Sequence, residues 1–321
     1  MRKTVTSFFL AFALFAGLLS GCTPSNAVPS PNGAGLSGQL SEKPVKDREG
    51  NAITVPSNLE RIISTAPSNT EILTALGVSD KLVAVDKYSA DVEGIPEGLP
   101  KINFRDPDAE ALVDLKPDII IASGHNRKGD EDPFALLKDA GICVVYIPTS
   151  NSIEGIYGDI EFLAAITGTE EKGREIIGSY QAEVKKITEI RDRAKLEKKK
   201  KVYFEIAPAP NLSSFGKNTF LNEFLETVGA ENIFSAQDGW LSPNAEAVVA
   251  ANPDVILTNV SYLDNAAGEI KAREGWDSID AVKNVQVFLI DSNPSSRPSQ
   301  LSVMALKQIA KAVYPELYSN I

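Results

Sequence analysis

Short apolar runs recur along this chain, separated by segments of helical period. Arg61-Ile62-Ile63-Ser64-Thr65, Leu82-Val83-Ala84-Val85-Asp86, Ile119 to Ala122 and Val144 to Ile147 read as buried strands. Lys201 to Ile206, Asp254 to Thr258 and Val287 to Ile290 form a second set. Pro67-Ser68-Asn69-Thr70-Glu71 opens a helix that should stop at Gly77, and residues 299–313 predict a closing helix. Lys43 to Val55, alternating about Glu49-Gly50-Asn51, predicts a hairpin. Strand and helix alternating at this spacing imply parallel, wound sheets.

Between the two sets lies the longest helical stretch, Thr169 to Lys200, which no proline interrupts. Ile176, Ile177, Tyr180, Val184, Ile187 and Ile190 hold one apolar stripe. Thr167 and Glu170 have the spacing of a capping box, Glu171 suits the positive end of the helix, and Arg191, Arg193, Lys195 and Lys198 to Lys201 suit the negative end. At about 1.5 Å per residue such a rod is roughly 45 Å long, more than most single domains are wide.

The segments on either side of the rod resemble each other. At a constant offset of 136 residues, Pro107, Ala109, Glu110, Ala111, Val113, Pro117, Asp118 and Ile120 recur as Pro243, Ala245, Glu246, Ala247, Val249, Pro253, Asp254 and Ile256. Each copy reads as a capped short helix, a Pro-Asp turn and a buried strand. The fold class is therefore α/β, with two wound parallel-sheet lobes joined by one long rigid helix: an N-terminal lobe over 43–166, a connecting helix over 167–200 and a C-terminal lobe over 201–321.

The N-terminal residues change the cellular picture. Arg2 and Lys3 precede an apolar run, Phe8 to Leu19, too short to span a membrane, which reads as a secretory signal over 1–21. Leu19-Ser20-Gly21-Cys22 has the form of a lipobox, predicting lipidation of Cys22 and a mature protein tethered to the outer face of a cell membrane. Residues 22–42, rich in Pro, Ser, Asn and Gly, predict a flexible tether. The formal charge of −11 becomes −13 without the two signal-segment cations, which argues against nucleic acid as a partner. Cys143, alone in Ile142-Cys143-Val144, reads as an unreactive thiol within a strand.

Candidate chemistry is sparse. A single histidine excludes a multi-histidine metal site, and no Gly-x-Ser-x-Gly elbow, phosphate-cradling glycine loop or Cys-His pair occurs. Ligands of wound sheets sit beyond the carboxyl ends of the strands. There the chain carries Asp86-Lys87-Tyr88, Ser123-Gly124-His125-Asn126-Arg127, Ala207 to Lys217 with Phe215, Asn259 to Tyr262, and Asn293 to Arg297. Aromatic and guanidinium groups with no nucleophile or paired base describe a binding site rather than a catalytic one.

The Arg61-Ile62-Ile63 and Pro67-Ser68-Asn69-Thr70-Glu71-Ile72-Leu73 opening, Leu115-Lys116-Pro117-Asp118, the long helix and the late Arg297-Pro298 together resemble the substrate-binding lipoproteins of ABC importers for ferric siderophores, cobalamin and haem. The resemblance covers about residues 43–318. It implies cleft aromatics at Phe104 and Trp240, permease-docking glutamates at Glu110 and Glu246, and a cleft tyrosine at Tyr88. Ser89-Ala90 and Ser299-Gln300 depart from the family's usual residues at those points. Tyr88, Phe104, Arg105, His125, Arg127, Phe215, Trp240 and Arg297 are thus the candidate ligand-binding set, with no catalytic residue, no resident metal and no cofactor beyond the metal a chelate brings with it.

The resemblance implies a monomeric, lipid-anchored extracytoplasmic protein that hands a small metal chelate to a dimeric permease. Ferric siderophores are favoured, because arginines near the cleft suit an anionic chelate, with cobalamin next. A haem-binding lipoprotein, a secreted enzyme on a two-lobed scaffold and an adhesive lipoprotein are the alternatives. An enzyme would need a base and nucleophile that the chain does not offer, and an adhesin has no need of two lobes.

Overall fold

The computed structural model describes residues 43–103, 105–126 and 131–321. The signal segment, the tether and Cys22, as well as Phe104 and Arg127, lie outside the described residues.

The first lobe is built on β1 (Ile62–Ser64), α1 (Pro67–Ala75), β2 (Leu82–Asp86), β3 (Lys101–Ile102), α2 (Ala109–Asp114), β4 (Ile119–Ser123), α3 (Ala135–Asp139) and β5 (Cys143–Ile147). Its strands pair in parallel in the order β3-β2-β1-β4-β5. Strands β1 and β4 are buried throughout, which is why their sequences are apolar at consecutive rather than alternate positions. Helix α4 (Ile153–Thr167) and helix α5 (Glu170–Ala194) follow.

The second lobe comprises β6 (Lys201–Glu205), β7 (Ser214–Phe215), α6 (Phe220–Thr227), β8 (Glu231–Asn232), β9 (Trp240–Leu241), α7 (Ala245–Ala251), β10 (Val255–Thr258), α8 (Ala266–Ala272), α9 (Asp280–Lys283), β11 (Val287–Leu289), α10 (Ser292–Ser296) and α11 (Ser302–Val313). Its parallel sheet runs β11-β10-β6-β8, and β7 pairs with β9 as a separate antiparallel ribbon. Both lobes fall within one compact unit, Ser41–Ile321.

The 136-residue repeat is a structural repeat. Asp108 caps α2 through the Ala111 amide at 3.1 Å, and Asn244 caps α7 through the Ala247 amide at 2.8 Å. Both helices end on a left-handed residue at the same repeat position, Lys116 (φ 46°) and Asn252 (φ 47°). The next aspartate then clips the neighbouring strand. Asp118 accepts from the Arg61 amide at 2.9 Å, and Asp254 accepts from the Lys201 amide at 2.7 Å. The Pro-Asp turn therefore sets how β4 lies on β1 and how β10 lies on β6.

Three expectations need correction. The long helix spans 25 residues rather than 32, about 37 Å, because Lys195 turns left-handed (φ 46°) and the lysines after it lead into β6. The Thr167–Glu170 capping box does not form. Gly168 (φ 72°) ends α4 at Thr167, whose hydroxyl donates back to the Leu163 carbonyl at 2.7 Å, and among the described residues no side-chain hydrogen bond caps α5. The Lys43–Val55 hairpin is reduced to a single antiparallel bridge, Lys46 with Ala52. Asp47 closes its turn by accepting from the Glu49 and Asn51 amides, and it also accepts from the Tyr146 amide, pinning the segment to β5.

The connection is also a helix pair rather than one rod. From α4, Ile153 and Tyr157 are buried in the second lobe's core, whereas Ile156, Ile160, Leu163 and Ile166 are buried in the first. Tyr180 and Ile187 of α5 pack in the second core, and Ile176 packs against the first. The two helices approach so closely that a Cβ on Gly173 would stand 2.6 Å from the Ala164 methyl. Tyr157 and Tyr180 meet edge to face at 5.3 Å.

Candidate functional site

The carboxyl ends of β1, β4 and β5 open on a cavity of about 90 Å³, closed from the second lobe by Ser296, Arg297 and Pro298. Its wall on the first-lobe side is the start of α1, with His125 and Thr149 opposite. His125 follows β4, and its Nε2 lies 2.7 Å from the Thr149 hydroxyl that follows β5. Burial and the nearby Arg105 charge hold the His125 pKa below the ordinary imidazole value. The Arg105 charge thus lies within reach of His125, and both residues present exposed surface.

Arg297 differs from expectation. Its Nη1 donates to the Glu71 carboxylate at 2.9 Å, and its Nη2 donates to the Asp91 carboxylate at 2.8 Å and to the Tyr88 carbonyl at 3.1 Å. Glu71 also accepts from the Ser299 hydroxyl, and Asn293 donates to Asp91 at 2.7 Å. All these acceptors belong to the first lobe and all the donors to the second. Arg297 is therefore a latch between lobes whose donors are largely committed, not an open cation awaiting a ligand. Burial pushes the Glu71 carboxyl up by more than Arg297 and Ser299 pull it down. Burial also raises Asp91, but hydrogen bonds from Arg297 and Asn293 outweigh it and leave Asp91 below the carboxylate range.

Behind the latch runs a buried polar chain. Ser64 and Thr70 hydroxyls lie 2.8 Å apart, Thr70 and Ser89 lie 2.9 Å apart, and Ser89 donates to Asp86. Asp86 also caps the short turn at Tyr88, accepting its amide at 2.8 Å. Ser89, the departure from the family pattern, thus serves this chain.

The aromatics divide. Trp240 is 54 % exposed on β9, so it is not a core residue, whereas Trp276 is fully buried. Phe215, paired with Trp240 across the ribbon, is also fully buried. It cannot present a surface as the candidate set supposes. Instead it braces Trp240 edge to face at 6.3 Å and packs on Phe204 of β6. Tyr88 is exposed beyond β2, with the Lys87 ammonium 5.0 Å from its ring centroid. Tyr262, exposed beyond β10, lies in one of the strand-end segments but outside the candidate set. Asn69 and Thr149 escape a reading of the sequence. Asn69 looks only like part of a helix cap, and nothing local to Thr149 marks it.

Glu110 and Glu246 are both exposed, each in the first turn of its helix and at the same position of the repeated unit. Cys143 is a free, half-buried thiol whose pKa burial raises. Among the described residues no three His, Cys, Asp or Glu side chains gather as a metal-ligand set.

Comparison with known proteins agrees with this geometry. The family model described as periplasmic binding protein matches residues 62–294. The uncharacterised ABC transporter substrate-binding lipoprotein YvrC of Bacillus subtilis is 30 % identical over 99 % of this chain and 100 % of its own. A vitamin B12-binding protein of Vibrio campbellii is 28 % identical over 78 % of this chain and 88 % of its own. A crystal structure from Staphylococcus epidermidis, of a possible iron-binding (periplasmic solute-binding) protein, is 31 % identical with a TM-score of 0.70, covering 80 % of this chain and 99 % of that one. The chain belongs to the periplasmic binding protein family, and it is a binding protein rather than an enzyme.

Proposed function

We propose that this protein is lipid-anchored through Cys22 at the outer face of the cell membrane, captures a metal chelate between its lobes as a monomer, and delivers it to a dimeric ABC permease. The chelate brings its own metal. A ferric siderophore is favoured and cobalamin comes next, the latter supported by the vitamin B12-binding relatives. Trp240, held out of the core by a buried Phe215, serves as an aromatic anchor, with Phe104 as its counterpart. Tyr88, Arg105, His125 and Arg127 complete the ligand set.

The observation that carries this reading is the pair Glu110 and Glu246. Two exposed carboxylates at equivalent points of two copies of one structural unit suit two arginines on a two-fold symmetric partner. Replacing both with Ala should abolish uptake into cells while chelate affinity and melting temperature stay put. Normal transport by the double variant, or loss of chelate binding itself, would refute docking. Titrating a ferric siderophore panel, cobalamin and haem against tryptophan fluorescence identifies the cargo, because only one of the two tryptophans is exposed. Trp240→Ala should weaken the best chelate by at least about tenfold without unfolding the protein. Unfolding with normal binding by the folded remainder would remove Trp240 from the site.

A further inference from the structure

We infer that the N-terminus of α1 is an oxyanion subsite that takes one carboxylate- or phosphate-sized group. The inference rests on the cleft reading above and specifies what part of the ligand the cleft reads.

The first observation is an uncapped helix start. Helix α1 has nine residues, and Ala66 at its N-cap has no side chain that can accept a hydrogen bond. Pro67 has no amide hydrogen, so Ser68 and Asn69 carry the orphan donors of the first turn at the positive end of the helix dipole. Backbone amides at such a position are built to receive an anion.

The second observation is independent of the helix. Asn69 is 2 % exposed and lines the cavity, yet its side-chain Nδ2 has no hydrogen-bond partner among the described residues. Leaving a buried donor unmade carries its full desolvation penalty, so a fold that keeps one on a cavity wall is ordered for something that accepts from it.

The rest of the lining agrees. Thr149, whose hydroxyl shares a hydrogen bond with His125 Nε2, puts a further polar group on the wall, and Arg297, paired with Glu71 and Asp91, closes it from the second lobe. Among the described residues no Asp or Glu lines the cavity, although the chain carries a net charge of −11. At about 90 Å³ the space is that of roughly three waters, against about 300 Å³ or more for a whole drug-sized ligand. It fits one acidic arm of a cargo whose bulk lies elsewhere in the cleft.

The test uses the full chain, with melting temperature and calorimetry as readouts. Phosphate and citrate, each against chloride at matched ionic strength, should raise the melting temperature saturably. Stabilisation by citrate alone would assign a carboxylate arm, and by phosphate alone a phosphate arm; either supports the subsite. Asn69→Asp keeps the shape and puts a carboxylate where the helix end tolerates it, so the protein should fold yet lose oxyanion binding by at least about tenfold. Thr149→Val, at the half-exposed rim, should weaken the same ions without touching the buried wall.

Ferric citrate and the neutral ferric hydroxamate ferrichrome then separate this inference from the chelate reading. Where citrate stabilises, both variants should lower the preference for ferric citrate over ferrichrome. If chelates bind and neither variant weakens the oxyanion that stabilises, or if no oxyanion stabilises beyond chloride, the subsite is wrong while chelate capture stands. If phosphate or citrate binds through Asn69 and no chelate binds, the subsite stands and chelate capture falls.

Discussion

Arg297 shows how far a residue's role depends on its partners. Its guanidinium is nearly buried and bridges Glu71 and Asp91 across the lobes. Removing one member of a buried pair costs more than the pair itself contributes, because the survivor keeps its desolvation penalty. Arg297→Ala should therefore destabilise the protein by about 3 kcal/mol or more in denaturant titration. Adding Glu71→Gln should recover part of that loss. The pH dependence has a definite sign. The Glu71 carboxyl is already raised, and without Arg297 it rises further; its neutral form is the one the fold then favours, so stability is lost as pH climbs through that value. Asp91 is held low by Arg297, and the stability that gives above the carboxylate range vanishes with the arginine. The Glu71 contribution makes the damage greater near pH 8 than near pH 5, whereas the Asp91 contribution is nearly the same at both, since both lie above the carboxylate range. Equal damage at the two pH values, or a variant of normal stability that only binds less ligand, would return Arg297 to the role of a ligand group.

At the scale of elements, α4 and α5 depend on a glycine where they touch. Gly173 lies in a helix, where glycine is intrinsically unfavourable, and its use there is explained by the Ala164 methyl that a Cβ would meet at 2.6 Å. Gly173→Ala should therefore destabilise by about 1–3 kcal/mol, although the same exchange in a free helix would stabilise. Gly178, five residues on, gives the contrast, because a Cβ there would meet nothing within 4 Å among the described residues. Gly178→Ala should be neutral or stabilising by about 1 kcal/mol. If both exchanges stabilise alike, the helix pair is looser than its geometry states. The same close packing makes the connection readable only in part. The α5 stripe of Ile176, Tyr180, Ile187 and Ile190 is visible in the sequence, but it says nothing of α4 lying beside it.

For the molecule as a whole, the helix pair and the latch tie the lobes at separate places. Helix α4 buries side chains in both cores, α5 buries them in the second and packs Ile176 and Ile177 against the first, and residues 293–300 bind Glu71 and Asp91. Hinge closure needs a few loop residues that absorb dihedral change, and continuous helices packed on two cores offer none. Scattering curves of the protein with and without its chelate should nearly superimpose. A change of several ångströms in radius of gyration would show that the lobes move as separate bodies.

The elements that local chemistry dictates are present in the sequence itself. Strands β1, β4 and β10 are apolar at every core position because they are buried on both faces, and a parallel sheet places such strands between helices. The Pro-Asp turns are legible because one cap, one left-handed residue and one aspartate clip recur in the same order at 136-residue spacing. The exposure of Glu110 and Glu246 follows from the same local frame. What tertiary structure alone decided is which polar groups meet. Glu71 and Arg297 are 226 residues apart, and Asp91 and Arg297 are 206 apart. No local pattern distinguishes that arginine from a solvated one. Phe215 and Trp240 are both aromatics in short, weakly patterned strands, and only the ribbon that pairs them settles which ring the core takes. Asn69 is the sharpest case. In sequence it is a cap residue at a helix start, and only the folding of β4, β5 and the second lobe around it leaves its amide buried, facing a cavity, with no acceptor among the described residues.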